Sequence, residues 1–574
     1  MRRFAGLALA PSLSLTRSPP FALFTGKGNW LAGKRPYGLL VLLCVILYTP
    51  GLTSIPPVDR DEARFAQATR QMLETGDFIR IRFQDEARNK KPIGIYWLQA
   101  AAVAAFSTPE STAIWPYRLP SVLAATAAVL LTFAWGAALH RSRLAGWLAA
   151  VLMASALGLV VEAHLAKTDA ALLAAVVAAH GALGLAYVAF HSDRPVSRYL
   201  PPVFWLAEAA GILLKGPLAL ALALMTAAAL SIADRDARWI RGLRPLTGLV
   251  ATALITTCWL IPVEAASTGR FLADSVVHDL LQKLVGAQES HGAPPGYYLA
   301  LAVASFWPGS LFIVPALIWG WGQRRSPAER FLLAWLIPAW VVFEFVPTKL
   351  PHYVLPLYPA AALLAGSALT KGALMGLAGG ARLLDIVVRS LWGMVTIALS
   401  GALVLLPICL GRGASTCAIV AALMLLALAV LLLLYRRRPA LAAGLSGALA
   451  AGFVLPAAFA VGPDLDTLWL SRSAAALLAR HSPAPGQAVL AVGYSEPSLV
   501  FLLGTATRLV TATPGDHQLA GAGMALVSEG DDAEFRKALS ARGLSFQAIG
   551  SVAGLDYSAG GGRLVLTLYD LRPG

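Results

Sequence analysis

The chain has 574 residues, 57% of them hydrophobic and only 13% charged, and its mean hydropathy is +0.66. Water-exposed globular chains carry nearer ~25% charge, so a mainly soluble protein, a disordered chain, a collagen-like repeat and a small disulfide scaffold are all excluded. The net charge of +15 then belongs to the rims of a membrane protein, in loops that set orientation and in pockets for anionic head groups. A chain mostly in lipid has little surface for nucleic acid, which is not an expected partner.

In chain order, residues 1–37 form a basic tail with Arg2, Arg3, Arg17, Lys27, Lys34 and Arg35. No short apolar core with a small-residue cleavage site follows, so the tail reads as cytoplasmic ahead of a retained span. A span needs ~20 apolar residues. Candidates fall at 38–57, 116–139, 143–162, 169–190, 199–214, 217–233, 245–264, 298–320, 328–346, 353–370, 386–409, 415–435 and 439–461, about thirteen in all. The apolar stretch 92–106 is too short to cross and reads as interfacial or re-entrant. With it left out, the loops bearing Arg141, Arg194, Arg235, Arg244, Arg324, Lys371 and Arg436 share one side with the tail, as the positive-inside rule requires.

The opposite side receives 58–115, 162–168, 265–297, 346–352 and the C-terminal residues. Three parts are therefore expected: a tail over 1–37, a transmembrane catalytic domain over 38–462, and a small external α/β domain over 463–574. Short apolar runs at 488–492, 509–511, 524–527 and 564–569 read as strands of that last domain, and 531–540 as a helix. No catalytic constellation or glycine-rich phosphate loop is visible in it. Of the four cysteines, Cys409 and Cys417 flank a short loop and pair only if it faces an oxidising compartment.

External loops are normally poor in Lys and Arg, yet 58–91 holds eight, from Arg60 to Lys91, among seven acids. Such a cluster beside the membrane fits a charged head group on a lipid tail, or else a salt-bridged collar with no ligand. Residues 61–76 read as an amphipathic helix with Phe65, Thr69, Met72 and Leu73 on one face and Gly76 as its stop; Asp61 suits the N-cap. Pro92 suits the first turn of the next helix, so Lys90 and Lys91 stand where the dipole and free N–H groups favour a phosphate; lysines snorkelling to lipid head groups are the alternative. Asp169 opens a span as ligand or cap, in company with Glu162, His164 and Lys167. Lys349, His352 and Tyr353 stand at the mouth of another span, and Arg270 lies in the loop 265–297. Glu86, His278 and His291 are of metal-binding type, but their spacing matches no ligand signature, so surface histidines are the expected reading and no cofactor is required. Glu208 falls inside a predicted span, where Lys215 or a neighbouring helix is a candidate partner, and it is assigned no role.

D-E-A-R-F from Asp61, G-D from Gly76, N-K-K-P-I-G-I-Y-W from Asn89, T-D at Thr168 and Asp169, and K-L-P-H-Y-V-L-P-L-Y-P from Lys349 together resemble the ArnT family of aminoarabinose transferases. These belong to the GT-C class of polyprenyl-phosphate-dependent glycosyltransferases, alongside the protein O-mannosyltransferases. The resemblance implies a GT-C fold with juxtamembrane helices in the first external loop. It also implies inverting transfer of 4-amino-4-deoxy-L-arabinose from undecaprenyl phosphate to a lipid A phosphate, and with it resistance to polymyxin and cationic peptides. Asp61 and Asp169 map onto the family's two aspartates and Lys91 onto its phosphate-binding lysine. Glu62, Arg64, Lys90, Tyr96, Arg270, Lys349, His352 and Tyr353 are the expected substrate contacts. Lys90 departs from the family, which often has an acid there. A monomer in the bacterial inner membrane, with its site facing the periplasm, is expected. A Ser/Thr-directed mannosyltransferase is the alternative, and a lipid-linked sugar flippase a more distant one.

Overall fold

The computed structural model describes residues 31–275, 282, 292–373, 377–413, 415–481, 487–558 and 560–572. The first helices are α1 (Arg35–Tyr48), α2 (Asp61–Thr75), α3 (Gly94–Phe106), α4 (Trp115–Leu139), α5 (Arg143–Ser155), α6 (Leu157–Ala163), α7 (Asp169–Phe190), α8 (Leu200–Lys215), α9 (Leu218–Asp234) and α10 (Pro245–Ala266). Prolines preset the first turn of α1, α4, α8 and α10, and the Ser142 hydroxyl accepts from the Ala145 N–H to cap α5.

Each of the thirteen expected spans overlaps a helix or helix pair, but fewer than thirteen of these are long and apolar enough to cross. Seven helices among the described residues are long and apolar enough to cross a membrane, and nine are when two bent pairs count as one span each. The expected single spans at 143–162 and 298–320 are the bent pairs. The first, α5 and α6, turns by 61°, and the second, Tyr297–Ser305 with Gly309–Gly322, by 114°. The two breaks meet, since the Leu157 N–H donates to the Trp307 carbonyl at 2.9 Å. Backbone groups freed by one kink are thus satisfied by the other, as a water-poor interior demands. At 13 residues, α3 is about 20 Å long, too short for a ~30 Å hydrocarbon layer.

The core centres on α7, which packs against α4, α8 and the helix Pro327–Phe345, and on the segment Pro351–Thr370. By contrast, α10 and Gly379–Leu410 are peripheral and expose Leu246, Leu254, Ile261, Met394 and Ile397. So much open apolar surface is what a lipid solvent allows and water does not. The four cysteines are free thiols, so the loop between Cys409 and Cys417 is not bridged.

A two-residue-per-strand hairpin, β1 (Arg82–Phe83) and β2 (Glu86–Ala87), follows α2. The C-terminal part builds a five-stranded sheet from β3 (Ala488–Val492), β4 (Arg508–Val510), β5 (Ala522–Ser528), β6 (Ser545–Asp556) and β7 (Gly562–Arg572), in the order β4-β3-β5-β7-β6. β3 runs parallel to both neighbours, while β7 runs antiparallel to β5 and β6. All of β3 is buried, with Val489 and Ala491 in one apolar layer and Leu490 and Val492 in the other, because helices cover both faces. The edge strand β6 was not expected from the sequence. Its glycines and half-exposed pattern carry little apolar alternation.

Candidate functional site

α2 begins abruptly. Arg60 stands before it at φ 62°, ψ −104°, a conformation costly for a residue with a Cβ, and makes no side-chain cap. Asp61 is the first helical residue and is exposed, so the N-cap alternative does not hold. Gly76 ends the helix in the left-handed region, as expected. Glu62 points inward. Its carboxylate meets the Arg118 guanidinium through two 2.8 Å contacts and accepts the N–H groups of Val58 and Ala166, each at 2.8 Å. Arg118 also donates to the carbonyls of Leu52, Ile55 and Pro56. Glu62, expected to touch substrate, therefore has its oxygens occupied in knitting α2, α4 and the loop ahead of α7 together.

The kink between α5 and α6 delivers Glu162 to the start of α7, where four segments converge. Lys215, last residue of α8, pairs with Asp169 Oδ1. Lys167 Nζ lies 3.1 Å from Glu162 Oε1 and 3.9 Å from Asp169 Oδ2. His352 faces both acids, with Nδ1 3.7 Å from Glu162 and Nε2 3.7 Å from Asp169. The Tyr353 ring lies 5.4 Å from the Lys215 ammonium. Lys91 and Asp61 border this group, Lys91 acting electrostatically on His352 and Asp61 on Lys167. Burial works against the Lys167 charge, but Glu162, Asp169 and Asp61 together hold its pKa above the ordinary lysine value. Lys215 was one of two candidate partners for Glu208, the other being a neighbouring helix. It serves Asp169 instead, and both Glu208 oxygens are buried without a hydrogen-bond partner.

Gly94 explains the glycine of the K-P-I-G motif. A Cβ there would lie 2.7 Å from the Leu213 carbonyl oxygen and 3.2 Å from Leu214. Only a bare backbone lets the Lys91 end of α3 rest against the end of α8 that carries Lys215. The helix starts at Gly94, two residues after Pro92, with Lys91 half-buried and Lys90 exposed before it.

Of the other expected contacts, Tyr96 is buried, packs against Phe65 at 5.3 Å and accepts from Arg88 Nε at 3.3 Å. Lys349 is buried and donates to the carbonyls of Glu344 and Val346 at 2.8 and 2.6 Å, which caps the helix Pro327–Phe345 rather than opening on the acids. Arg64 is half-buried and Arg270 exposed, and neither forms an ion pair among the described residues. His164 joins two backbone carbonyls, those of Val160 and Pro50. His278 and His291 lie outside the described residues, and Glu86 is exposed on β2. One other group of metal-ligand type is present among the described residues: Glu162, Asp169 and His352, with ligand atoms within 4.8 Å of one another. Lys167 and Lys215 already neutralise its carboxylates, so the donor set suits an ion-pair network better than a divalent cation.

The C-terminal domain grips this region. The Tyr557 hydroxyl accepts the Asp59 N–H at 2.9 Å, the Ser498 N–H donates to Asp59 Oδ1 at 3.3 Å, and Arg60 donates to the Ser558 carbonyl. Further along α2, Gln67 bonds Thr505 at 2.7 Å and Arg70 the Phe501 carbonyl at 2.9 Å. The Phe501 ring enters an apolar cluster with Ala66, Tyr117 and Ala166. No sequence signal announced these contacts, which join residues more than 430 positions apart.

Residues 38–266 match the family model for dolichyl-phosphate-mannose-protein mannosyltransferase. The chain is 29% identical over 349 residues to the undecaprenyl phosphate-alpha-4-amino-4-deoxy-L-arabinose arabinosyl transferase of Erwinia tasmaniensis, covering 58% of this chain and 62% of that one. It is 29% identical over 342 residues to its namesake in Pseudomonas paraeruginosa, covering 59% and 60%. The chain thus spans about three-fifths of the length of the curated relatives it matches. The crystal structure of ArnT from Cupriavidus metallidurans bound to undecaprenyl phosphate superposes with a TM-score of 0.68 at 20% identity, covering 93% of this chain and 98% of that one. The chain resembles the aminoarabinose transferases over some three-fifths of its sequence and shares the ArnT fold, a multi-pass membrane fold, over nearly all of its length.

Proposed function

We propose that the protein is an inverting glycosyltransferase of the inner membrane that moves 4-amino-4-deoxy-L-arabinose from undecaprenyl phosphate to a lipid A phosphate on the periplasmic side. One observation carries the reading. Asp61, Lys91, Lys167, Asp169, Lys215 and His352, drawn from five separate segments, converge in one polar corner at the ends of apolar helices. The same ends carry the resemblance to ArnT.

The chemistry follows from charge. The leaving group is a lipid phosphate whose negative charge grows as the anomeric bond breaks, and a fixed ammonium near it lowers the barrier by several kcal/mol. Lys91, half-buried before α3, takes that role in this reading, with Lys167 and Lys215 reinforcing the field. An acceptor phosphate is already ionised near neutral pH and needs no general base. Exposed Asp61 is then free to hold the sugar's ammonium group or to steady positive charge at the anomeric carbon. Asp169, pinned by Lys215, fixes the wall on which the sugar sits. Attack from the face opposite the leaving phosphate inverts the anomeric centre. The proposed parts are a transmembrane catalytic domain over 38–462 and an external domain over 463–574.

The match to the protein mannosyltransferase model favours one second reading, in which the acceptor is a Ser or Thr hydroxyl and Asp61 is its general base. Mass spectrometry of lipid A from cells with and without the gene separates the two. A pentosamine-sized increment that depends on the gene, and on Lys91, supports the first reading. Unmodified lipid A together with newly glycosylated protein supports the second.

A further inference from the structure

A second polar-apolar junction lies at the opposite end of α8, where it meets α10. Between α8 and α10 runs a groove with a volume of about 400 Å³, walled by Pro201, Trp205, Ala251 and Ile255, with Arg198 and Arg244 at its mouth. Arg198 precedes α8 and Arg244 precedes α10, whereas Lys215 ends α8. Sixteen residues of helix separate the two sites, about 24 Å at 1.5 Å per residue.

Three features give the groove the shape of a ligand with an anionic head and an apolar tail. Both arginines are exposed, and neither forms an ion pair among the described residues; Arg198 donates only to the hydroxyl of its neighbour Tyr199, at 2.9 Å. The α10 N-terminus opens at the same mouth, where its dipole adds to the two guanidinium charges. The groove itself is apolar and flanked by Leu206 and Leu254, which are more than half exposed and face where lipid chains lie. Its floor is fixed: the Trp205 indole donates to the Leu243 carbonyl at 2.8 Å and lies so close to Gly248 that a Cβ there would overlap the ring. Lipid acyl chains are the apolar material a bilayer supplies at this depth, and arginine is the side chain suited to a phosphate.

We infer that the groove between α8 and α10 is a binding site for an anionic phospholipid of the leaflet opposite the proposed catalytic corner, with its phosphate between Arg198 and Arg244 and one acyl chain along Trp205, Ala251 and Ile255. The site is independent of the proposed transfer reaction and uses none of its residues.

The test is native mass spectrometry of the full chain, purified and delipidated in detergent, titrated with phosphatidylglycerol or with phosphatidylcholine of identical acyl chains. The expected result is one saturable phosphatidylglycerol, held roughly tenfold or more tightly than phosphatidylcholine, because each basic side chain beside a lipid head group is worth about a factor of five. The double variant Arg198→Gln, Arg244→Gln should lose that preference and still bind phosphatidylcholine. Ala251→Trp, which fills the groove and leaves both charges, should lower occupancy by both lipids. An undiminished preference in the double variant overturns the assignment, as does non-saturating uptake that follows lipid concentration alone. Displacement of the lipid by inorganic phosphate would show a free-anion site and overturn it too.

Discussion

Asp169 is held from two sides, by Lys215 and, at 3.9 Å, by Lys167, and faces His352. Removing the Lys215 charge leaves a buried carboxylate short of a partner, which costs more than the ion pair contributes when intact. Lys215→Met should therefore reduce transfer about 10²-fold, through misplacement of Asp169, and Lys215→Arg should restore part of it. Lys91→Ala is expected to lower kcat by about 10²–10³ with the protein still inserted in the membrane, as removal of one donor to a developing oxyanion does elsewhere. Both effects are read from the rate of donor consumption by purified protein. Glu62, one residue beyond Asp61, should behave differently. Glu62→Ala strands the buried Arg118 guanidinium and should cost about 3–5 kcal/mol of stability, seen as a lower unfolding temperature in detergent rather than as a selective loss of kcat.

At the scale of elements, the corner depends on how close the helix ends come. Gly94→Ala would push a methyl group to 2.7 Å from the Leu213 carbonyl oxygen, and backbone cannot yield as a flexible side chain does. Overpacking of that kind costs about 1–3 kcal/mol, and here it moves Lys91 away from His352. Donor KM should rise while expression persists, and radiolabelled undecaprenyl phosphate binding checks it. This contact also marks what the sequence could reveal. The spans, the interfacial length of α3 and the amphipathic α2 follow from periodicity and from Gly76, because those are local properties. Asp61, Lys91 and Asp169 were legible through motifs. The kink that brings Glu162 to Asp169, the pairing of Lys215 and the capping role of Lys349 were hidden, because each depends on which helix end lies beside which. Strand β6 was missed for a related reason: an edge strand with little apolar alternation is specified by its partner β7 more than by its own residues.

For the whole molecule, the question is what holds the first external loop against the C-terminal domain. Asp59, Glu496 and Asp556 face one another across that join, with Tyr494 and Tyr557 beside them and Arg60 as the nearby cation. Burial raises the Asp59 pKa against the opposing hydrogen bonds from Ser498 and Tyr557, and the Asp556 charge adds to the rise. Burial likewise raises that of Glu496, with Asp59 and Asp556 as its negative neighbours. An acid whose pKa rises on docking keeps its proton longer in the docked state. Its contribution is complete in acid and declines as pH climbs from the ordinary values of 3.8 and 4.5 through the raised ones. The grip on Asp59 and Arg60, and so on the strained turn that starts α2, should loosen as pH rises above those ordinary values. Hydrogen exchange across α2 reads this directly: protection should fall as pH rises after correction for the intrinsic exchange rate. In Asp59→Asn, which has no charge to gain, the fall should be shallower. Equal slopes in the two proteins would mean that these carboxylates do not govern the join, and that the seat of Phe501 against Tyr117 and the hydrogen bonds of Gln67 and Arg70 hold the C-terminal domain in place.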